Sequence, residues 1–448
     1  MNHTHPQSAD GHMSRREFIA STAAAGAALS LTPWAHGQDP LPSTDDLQIG
    51  LVGCGAQGRV LINAALKIPG IRFKAVCDIW SYSQRYGSRY LKKFGHEVNV
   101  YEEFDALLAA EPDLDAIIVA TPDWMHAPHS IAAMNAGLPV YCEKMMSNSL
   151  DAAREMVRTS RATGQLLQIG HQRRSNPRYR HVKENLLDEA HLLGQLTHAN
   201  AQWNRGKSEP LGWPKKYEMD AAALAKYGYE DMLQLRNWRW FRKYGGGPIS
   251  DLGAHQIDIF NWFFGATPSA VMASGGIDFY TDFEMFDNIM AIYEFELPDG
   301  PARAFYQVLT TSSSLGYLER FMGVDGTLAI SENPRWNQVF REAYAPEWGQ
   351  WVEKGFLRKD QPAGDDDAAG KVVDVRETAP LDAWDIPVEL NKAIHQPHLE
   401  NFFAAIRDGV PLNCPGEVGF QTAVTVMKVN DAVSAQKRLA FAPEEFEV

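Results

Sequence analysis

Gly53-Cys54-Gly55-Ala56-Gln57-Gly58 sets three glycines at the spacing that lets a main chain wrap an anion. Gly53 permits a tight turn, Gly55 lets the backbone approach a pyrophosphate, and Gly58 allows close packing of a helix on the preceding strand. Ala56 and Gln57 complete the turn, and the helix that it opens would direct its first N–H groups at phosphates. Asp78 follows Gly58 by 20 residues, where a carboxylate can accept hydrogen bonds from an adenosine ribose. The same charge repels a 2′-phosphate, and Ile79-Trp80 supplies no adjacent cation, which favours NAD over NADP. Arg85 lies near enough in sequence to keep NADP possible.

Three further groups could do chemistry. Thr121-Pro122-Asp123-Trp124-Met125-His126 follows an apolar run, so Thr121, Pro122 and His126 should face a nicotinamide at the carboxyl edge of a sheet. Glu143-Lys144-Met145 ends the next run; Glu143 would stand at the cofactor, and the Lys144 ammonium could hold a substrate hydroxyl and stabilise alkoxide charge. A surface salt bridge is the alternative for this pair. Asp251 and His255 are four residues apart, so on a helix the carboxylate could orient and charge-stabilise the imidazole for proton transfer. The alternative there is an N-capping Asp beside a core His. A metal site would need His126, His129, His395 and His398 to gather, and no H-E-x-x-H or Cys/His cluster supports one; none is expected.

The stretch from Gly206 to Gly247, with its flanks, mixes Trp203, Trp213, Trp238, Trp240 and Phe241 with Asn204, Arg205, Lys207, Arg236 and Arg239. Flat apolar faces beside hydrogen-bonding groups suit a sugar ring, with Trp203, Trp238 and Arg239 as candidate contacts. The same aromatics could instead close a core or a subunit interface.

These groups need a frame. Leu47–Val52, Arg72–Cys77, Ala116–Ala120, Val140–Cys142 and Leu166–Ile169 read as buried strands. Helical stretches at 57–66, 82–93, 101–109, 128–136 and 150–162 lie between them, the pattern of a doubly wound parallel sheet over residues 46–170. Residues 171–448 read as α+β, with a helix over 178–188 and strands at 196–203, 270–277, 290–297 and 303–310 forming an open, largely antiparallel sheet. The chain has 448 residues, 45% hydrophobic and 22% charged, enough for two such domains. A formal charge of −14 argues against nucleic acid. The four cysteines lack C-x-x-C spacing and read as core residues. Within residues 1–37, Ser14-Arg15-Arg16-Glu17-Phe18 precedes a short Ala-rich apolar run, the order of a twin-arginine export signal and too short to span a membrane. A periplasmic or otherwise exported protein is expected.

Taken as a set, the stretches Gly53–Gly58, Asp78, Thr121-Pro122 with His126, Glu143-Lys144, Gln172-Arg173, Gly246–His255 and His398–Ile406 resemble the Gfo/Idh/MocA oxidoreductases. The resemblance implies an N-terminal Rossmann domain and a C-terminal α/β domain that carries the substrate site and often the subunit interface, hence a homo-oligomer. It also implies that Lys144 binds substrate, Asp251 supports the site, and His255 exchanges a proton with the substrate hydroxyl, with Gln172 and Arg173 beside the substrate. Such proteins usually have Glu-Lys-Pro; Met145 stands here in place of the proline, leaving the Lys144 backbone less constrained. The expected activity is NAD(P)-dependent oxidation or reduction of a sugar, glycoside or polyol with tightly bound cofactor. A redox-neutral glycoside hydrolase or lyase and a non-catalytic sugar-binding relative are the alternatives.

Overall fold

Ala116–Val119 is wholly buried, as a strand must be when helices cover both sheet faces. In the computed structural model, which describes residues 46–359 and 381–448, it is β4 of a six-stranded parallel sheet. The others are β1 (Leu47–Val52), β2 (Ile71–Cys77), β3 (Asn99–Tyr101), β5 (Val140–Cys142) and β6 (Leu167–Ile169), in the order β3-β2-β1-β4-β5-β6. Leu51 pairs with Val76 on one side and Ile118 on the other, so the order reverses beside β1. Ligands of such sheets bind at that reversal, beyond the carboxyl ends. β3 was not legible in the sequence because only three residues form it.

The helix after β4 spans Asp123–Asn135 and carries Pro128 inside it, rather than starting at Pro128. Extended Pro122 serves as its N-cap residue, so Asp123 and His126 share the first turns. The helix Leu150–Thr163 follows the rules that the sequence suggests: the Ser149 side chain accepts from the Ala152 amide, and Gly164 ends it at φ +70°.

The second sheet has nine strands: β7 (Leu196–Asn204), β8 (Ala270–Gly276), β9 (Asn288–Leu297), β10 (Gly300–Leu309), β11 (Tyr317–Gly323), β12 (Gly326–Ile330), β13 (Gln338–Arg341), β14 (Asp382–Asp385) and β15 (Leu439–Ala440). Their order is β14-β13-β12-β11-β7-β10-β9-β8-β15. It is mixed: β7 and β10 run parallel, with Ala201 opposite Tyr306, and the remaining pairs are antiparallel. Residues 206–247 add no strand to either sheet and instead form short helical turns at Lys215–Tyr217, Ala221–Lys226, Met232–Arg236 and Trp238–Trp240.

Two late helices join the sheets. Leu399, Phe402 and Phe403 of the helix Gln396–Asp408 pack into the core formed by Ile49 and Phe73 of the first sheet and Leu61 of the helix Ala56–Ala65. Each such fully buried side chain contributes about 1.5–3 kcal/mol. The helix Gly416–Ala435 lies against both β8 and the helix Leu150–Thr163. No helix among the described residues is long and apolar enough to cross a membrane. The twin-arginine segment lies outside the described residues.

Candidate active site

Gly53 turns at φ +93°, and a Cβ there would lie 2.4 Å from the Ala120 carbonyl oxygen. A Cβ on Gly58 would meet the Gly53 carbonyl oxygen at 1.9 Å, so the helix Ala56–Ala65 can approach only a glycine. Gly55 differs: nothing stands within 4 Å of its Cβ position, and it lines a cavity of 810 Å³. No side chain caps that helix, leaving its first N–H groups for an anionic ligand. This cradle fits a dinucleotide pyrophosphate.

At the end of β2, Asp78 accepts the Cys54 amide through Oδ2 and the Trp80 amide through Oδ1, both at 2.8 Å. Burial pushes its carboxyl up to about 6, against those two donors and the charges of Arg59 and Arg236. The sequence suggested no cation beside Asp78 apart from Arg85. The tertiary structure corrects this: Arg85 sits 5.9 Å from the Tyr217 ring, while Arg59 and Arg236 supply the positive field.

Beyond β4 and β5 the same cavity is lined by Ala56, Gln57, Thr121, Pro122, His126, Glu143 and Lys144. Glu143 Oε1 accepts from Gln57 Nε2 at 3.1 Å, and Gln57 Nε2 also lies 3.0 Å from His395 Nε2. His126 lies within 2.6 Å of the Met145 carbonyl oxygen through Nδ1 and 2.8 Å of the Thr121 carbonyl oxygen through Nε2. Both ring nitrogens face main-chain oxygens, so His126 stands between two loops; the sequence suggested that it faces a nicotinamide, but it presents no free ring nitrogen to one. Burial drives it down to about 4, although both carbonyls favour the charged ring. The Lys144–Met145 peptide is cis.

Lys144 Nζ donates to the Asp251 main-chain oxygen at 2.5 Å and lies 3.4 Å from Oδ1. Arg239 Nε reaches Oδ1 at 2.8 Å, and Arg205 Nη1 reaches Oδ2 at 3.7 Å. Burial alone would raise the Asp251 carboxyl; Arg239, Lys144 and Arg205 hold it well below the usual carboxylate range.

The expected Asp251–His255 pair is absent among the described residues. Asp251 occupies a π-helical turn, Ile249–Gly253, and His255 the α-helix Ala254–Phe264 that follows, so four-residue spacing no longer stacks the two side chains. Asp251 is neither N-cap nor His partner but the counter-ion of three cations. His255 instead packs its ring 5.5 Å from that of Trp203, with Nδ1 buried and unpartnered among the described residues. Burial, reinforced by Lys144 and Arg173, pushes it well below the ordinary histidine value, so the ring is neutral at pH 7.

Gln172, Trp203, Trp238 and Arg239 line the cavity, but Arg173 does not. Arg173 is 1% exposed, paired with Glu319 and, through Nε at 3.0 Å, with Glu332. Its guanidinium stands 5.7 Å from the rings of Trp203 and Tyr317. Arg173 is therefore a buried brace rather than a substrate contact. Trp203 stacks on Tyr317 at 4.6 Å, and Arg239 covers Trp238 at 4.2 Å.

Sequence reasoning missed Tyr317, the first residue of the unread strand β11, and Glu332, just beyond the end of β12; neither carries a motif. It also passed over Asp123, although that residue sits inside the Thr121–His126 motif. Asp123 is buried at the cavity wall, and burial pushes its carboxyl up to about 7, with Lys144 and Arg239 opposing. Among the described residues no group of three side chains could hold a metal ion, and all four cysteines are free and buried.

A glycine turn at the reversal of a parallel sheet, opening on a cleft shared with a second sheet, is the arrangement of a dinucleotide-binding fold. An oxidoreductase family model with an NAD-binding Rossmann fold matches residues 47–171, and the GFO/IDH/MocA C-terminal domain matches residues 179–300. The chain belongs to the Gfo/Idh/MocA family. It is 32% identical over 143 residues to an inositol 2-dehydrogenase of Rubrobacter xylanophilus, covering 32% of this chain and 40% of that one. It is 35% identical over 305 residues to a glycosyl hydrolase family 109 protein of Parabacteroides distasonis, covering 62% and 63% respectively. The chain spans about half the length of the curated relatives it first matches. Among solved structures, the WlbA dehydrogenase from Bordetella pertussis in complex with NADH and UDP-GlcNAcA shares the fold at a TM-score of 0.62 and 17% identity, covering 89% of this chain and 99% of that one.

Proposed function

We propose that the protein is an exported NAD-dependent oxidoreductase that moves a hydride to or from a CH–OH group of a sugar, glycoside or polyol. One observation carries this reading: Gly55 and Asp78 line the same cavity as Lys144, Asp251 and His255. Export rests on the sequence order of residues 14–37 alone.

When bound, NAD supplies the hydride acceptor. His255, neutral at pH 7, takes the substrate hydroxyl proton at a ring nitrogen and returns it in the reverse direction. Lys144 has three N–H donors; Asp251 engages two, and the third meets the substrate oxygen as negative charge develops. Asp251 fixes that ammonium while balancing Arg205 and Arg239. The Trp203–Tyr317 stack offers a flat apolar face to a sugar ring, with Arg173 and Glu332 holding the wall from behind. Absorbance and mass analysis of purified protein for co-purifying nicotinamide, followed by a screen of sugars and glycosides for its reduction, tests this reading. Protein that neither carries nor binds a nicotinamide dinucleotide refutes it.

The 35% identity with a glycosyl hydrolase family 109 protein favours a second reading. Transient oxidation of one hydroxyl acidifies the neighbouring C–H, permits loss of the glycosidic oxygen, and is reversed after water adds. Release of free aglycone without an added electron acceptor would support it; net oxidation of intact glycoside would exclude it. The exposed Met272, Met290 and Ile292 on β8 and β9 support assembly of copies through the second sheet, which light scattering can check.

A further inference from the structure

We propose that residues 206–247 are a clasp over the adenosine end of the dinucleotide cleft, so that the cofactor is released only when this segment detaches from the first sheet. The inference rests on the dinucleotide reading above and assigns cofactor retention to a specific part of the chain.

The segment leaves β7 and returns ahead of Asp251, yet it is anchored at three successive carboxyl-end exits of the other sheet. After β2, Trp80 Nε1 donates to the Tyr217 carbonyl oxygen at 2.6 Å, and the Arg236 guanidinium lies 4.8 Å over the Trp80 ring. Tyr82 meets Tyr217 edge-on at 5.2 Å. After β3, the Lys226 ammonium pairs with Glu103 and lies 3.4 Å from Glu102, while the Tyr227 hydroxyl donates to Glu103 at 2.8 Å. After β4, Trp124 Nε1 donates to the Tyr229 hydroxyl at 3.2 Å and packs edge-on against Tyr244 at 5.5 Å.

These anchors bury apolar area apart from both sheet cores. Trp80 joins Leu224, Tyr229, Met232, Phe241, Tyr244 and Phe283 in a cluster of their own. From the same segment, Pro210, Leu211, Leu235 and Arg236 share the cavity wall with Gly55, Asp78 and Ile79. A dinucleotide cradled by the glycine turn therefore has this segment on its outer side. Arg236 also sends its charge to Asp78, from far along the chain. The Lys226 latch is half-exposed and weak by itself, whereas the Trp80 anchor is buried, so the exit is controlled chiefly at Trp80.

The test uses the full chain loaded with NADH, whose release is followed by fluorescence after dilution into excess NAD. Trp80→Phe retains an aromatic ring, though a smaller one, and deletes the hydrogen bond to Tyr217, which should raise the release rate by roughly 5- to 10-fold. Should that variant misfold, Glu103→Cys paired with Lys226→Cys lies on exposed positions and can be joined by a cleavable cross-linker. Cross-linking should slow both release and uptake of NADH by about tenfold or more, and cleavage should restore both. Exchange that ignores a complete cross-link overturns the clasp and leaves the dinucleotide reading standing. Absence of any NADH binding overturns both.

Discussion

Asp251→Asn separates two ways in which this carboxylate could serve the site. On an α-helix it would act on His255; in the π turn it faces Lys144, Arg239 and Arg205 at 3.4, 2.8 and 3.7 Å. At an effective dielectric constant of about 20, a unit pair at that Lys144 distance interacts by about 5 kcal/mol. Partial exposure of the arginines screens part of the total, and removing one member of a buried pair typically costs about 3–5 kcal/mol. Asp251→Asn should therefore lower kcat/KM about 10²- to 10³-fold, because Lys144 keeps its bond to the main-chain oxygen of residue 251 but loses the carboxylate charge beside it, and the cation cluster goes uncompensated. The assay is kcat/KM across two double-mutant cycles. With Lys144→Ala already present, the Asp251→Asn penalty should shrink, a coupling of about 1–3 kcal/mol, the remainder coming from Arg239 and Arg205. With His255→Ala present, its own penalty should persist. The opposite pattern, a penalty that vanishes only when His255 is absent, would refute the counter-ion role.

Three other outcomes are expected. Lys144→Ala and His255→Ala should each remove about 10²–10⁴-fold of activity while NAD affinity by calorimetry stays near that of the parent, since neither belongs to the phosphate turn; parental turnover in folded His255→Ala protein would sink the assignment. Asp78→Ala should weaken NAD binding and relax discrimination against NADP, with Arg59 and Arg236 left to meet a 2′-phosphate; an unchanged preference on titration would show that Asp78 does not reach the ribose. Asp123, pushed up to about 7, binds a proton in the folded state over a range where the unfolded chain, near 3.9, has lost it. Its contribution to stability thus falls as pH rises from about 4 to 7, by an amount on the order of a few kcal/mol. Asp123→Asn lacks this slope, so its urea midpoint should gain on the parent's between pH 5 and pH 8, and parallel midpoints would contradict the assignment.

What was legible in the sequence is local. The glycine turn follows from three positions where a Cβ would strike backbone or block a ligand, and Asp78 from its place at the end of the next strand. Apolar runs such as Ala116–Val119 announce a sheet covered on both faces, and the helix read over 150–162 spans Leu150–Thr163. The chemistry of the site is decided elsewhere. Lys144 and Asp251 are 107 residues apart, and Arg173 meets Glu319 across 146; nothing in the spacing of either pair predicts contact. A single π turn moved Asp251 off the face of His255, although the sequence spacing is that of an α-helical pair. Burial turned Arg173 from a substrate contact into a brace, and the fold brought Arg236 to Asp78. Charges act through space in a low-dielectric interior, so their partners are set by tertiary packing, whereas turns and strands are set by the steric limits of neighbouring residues.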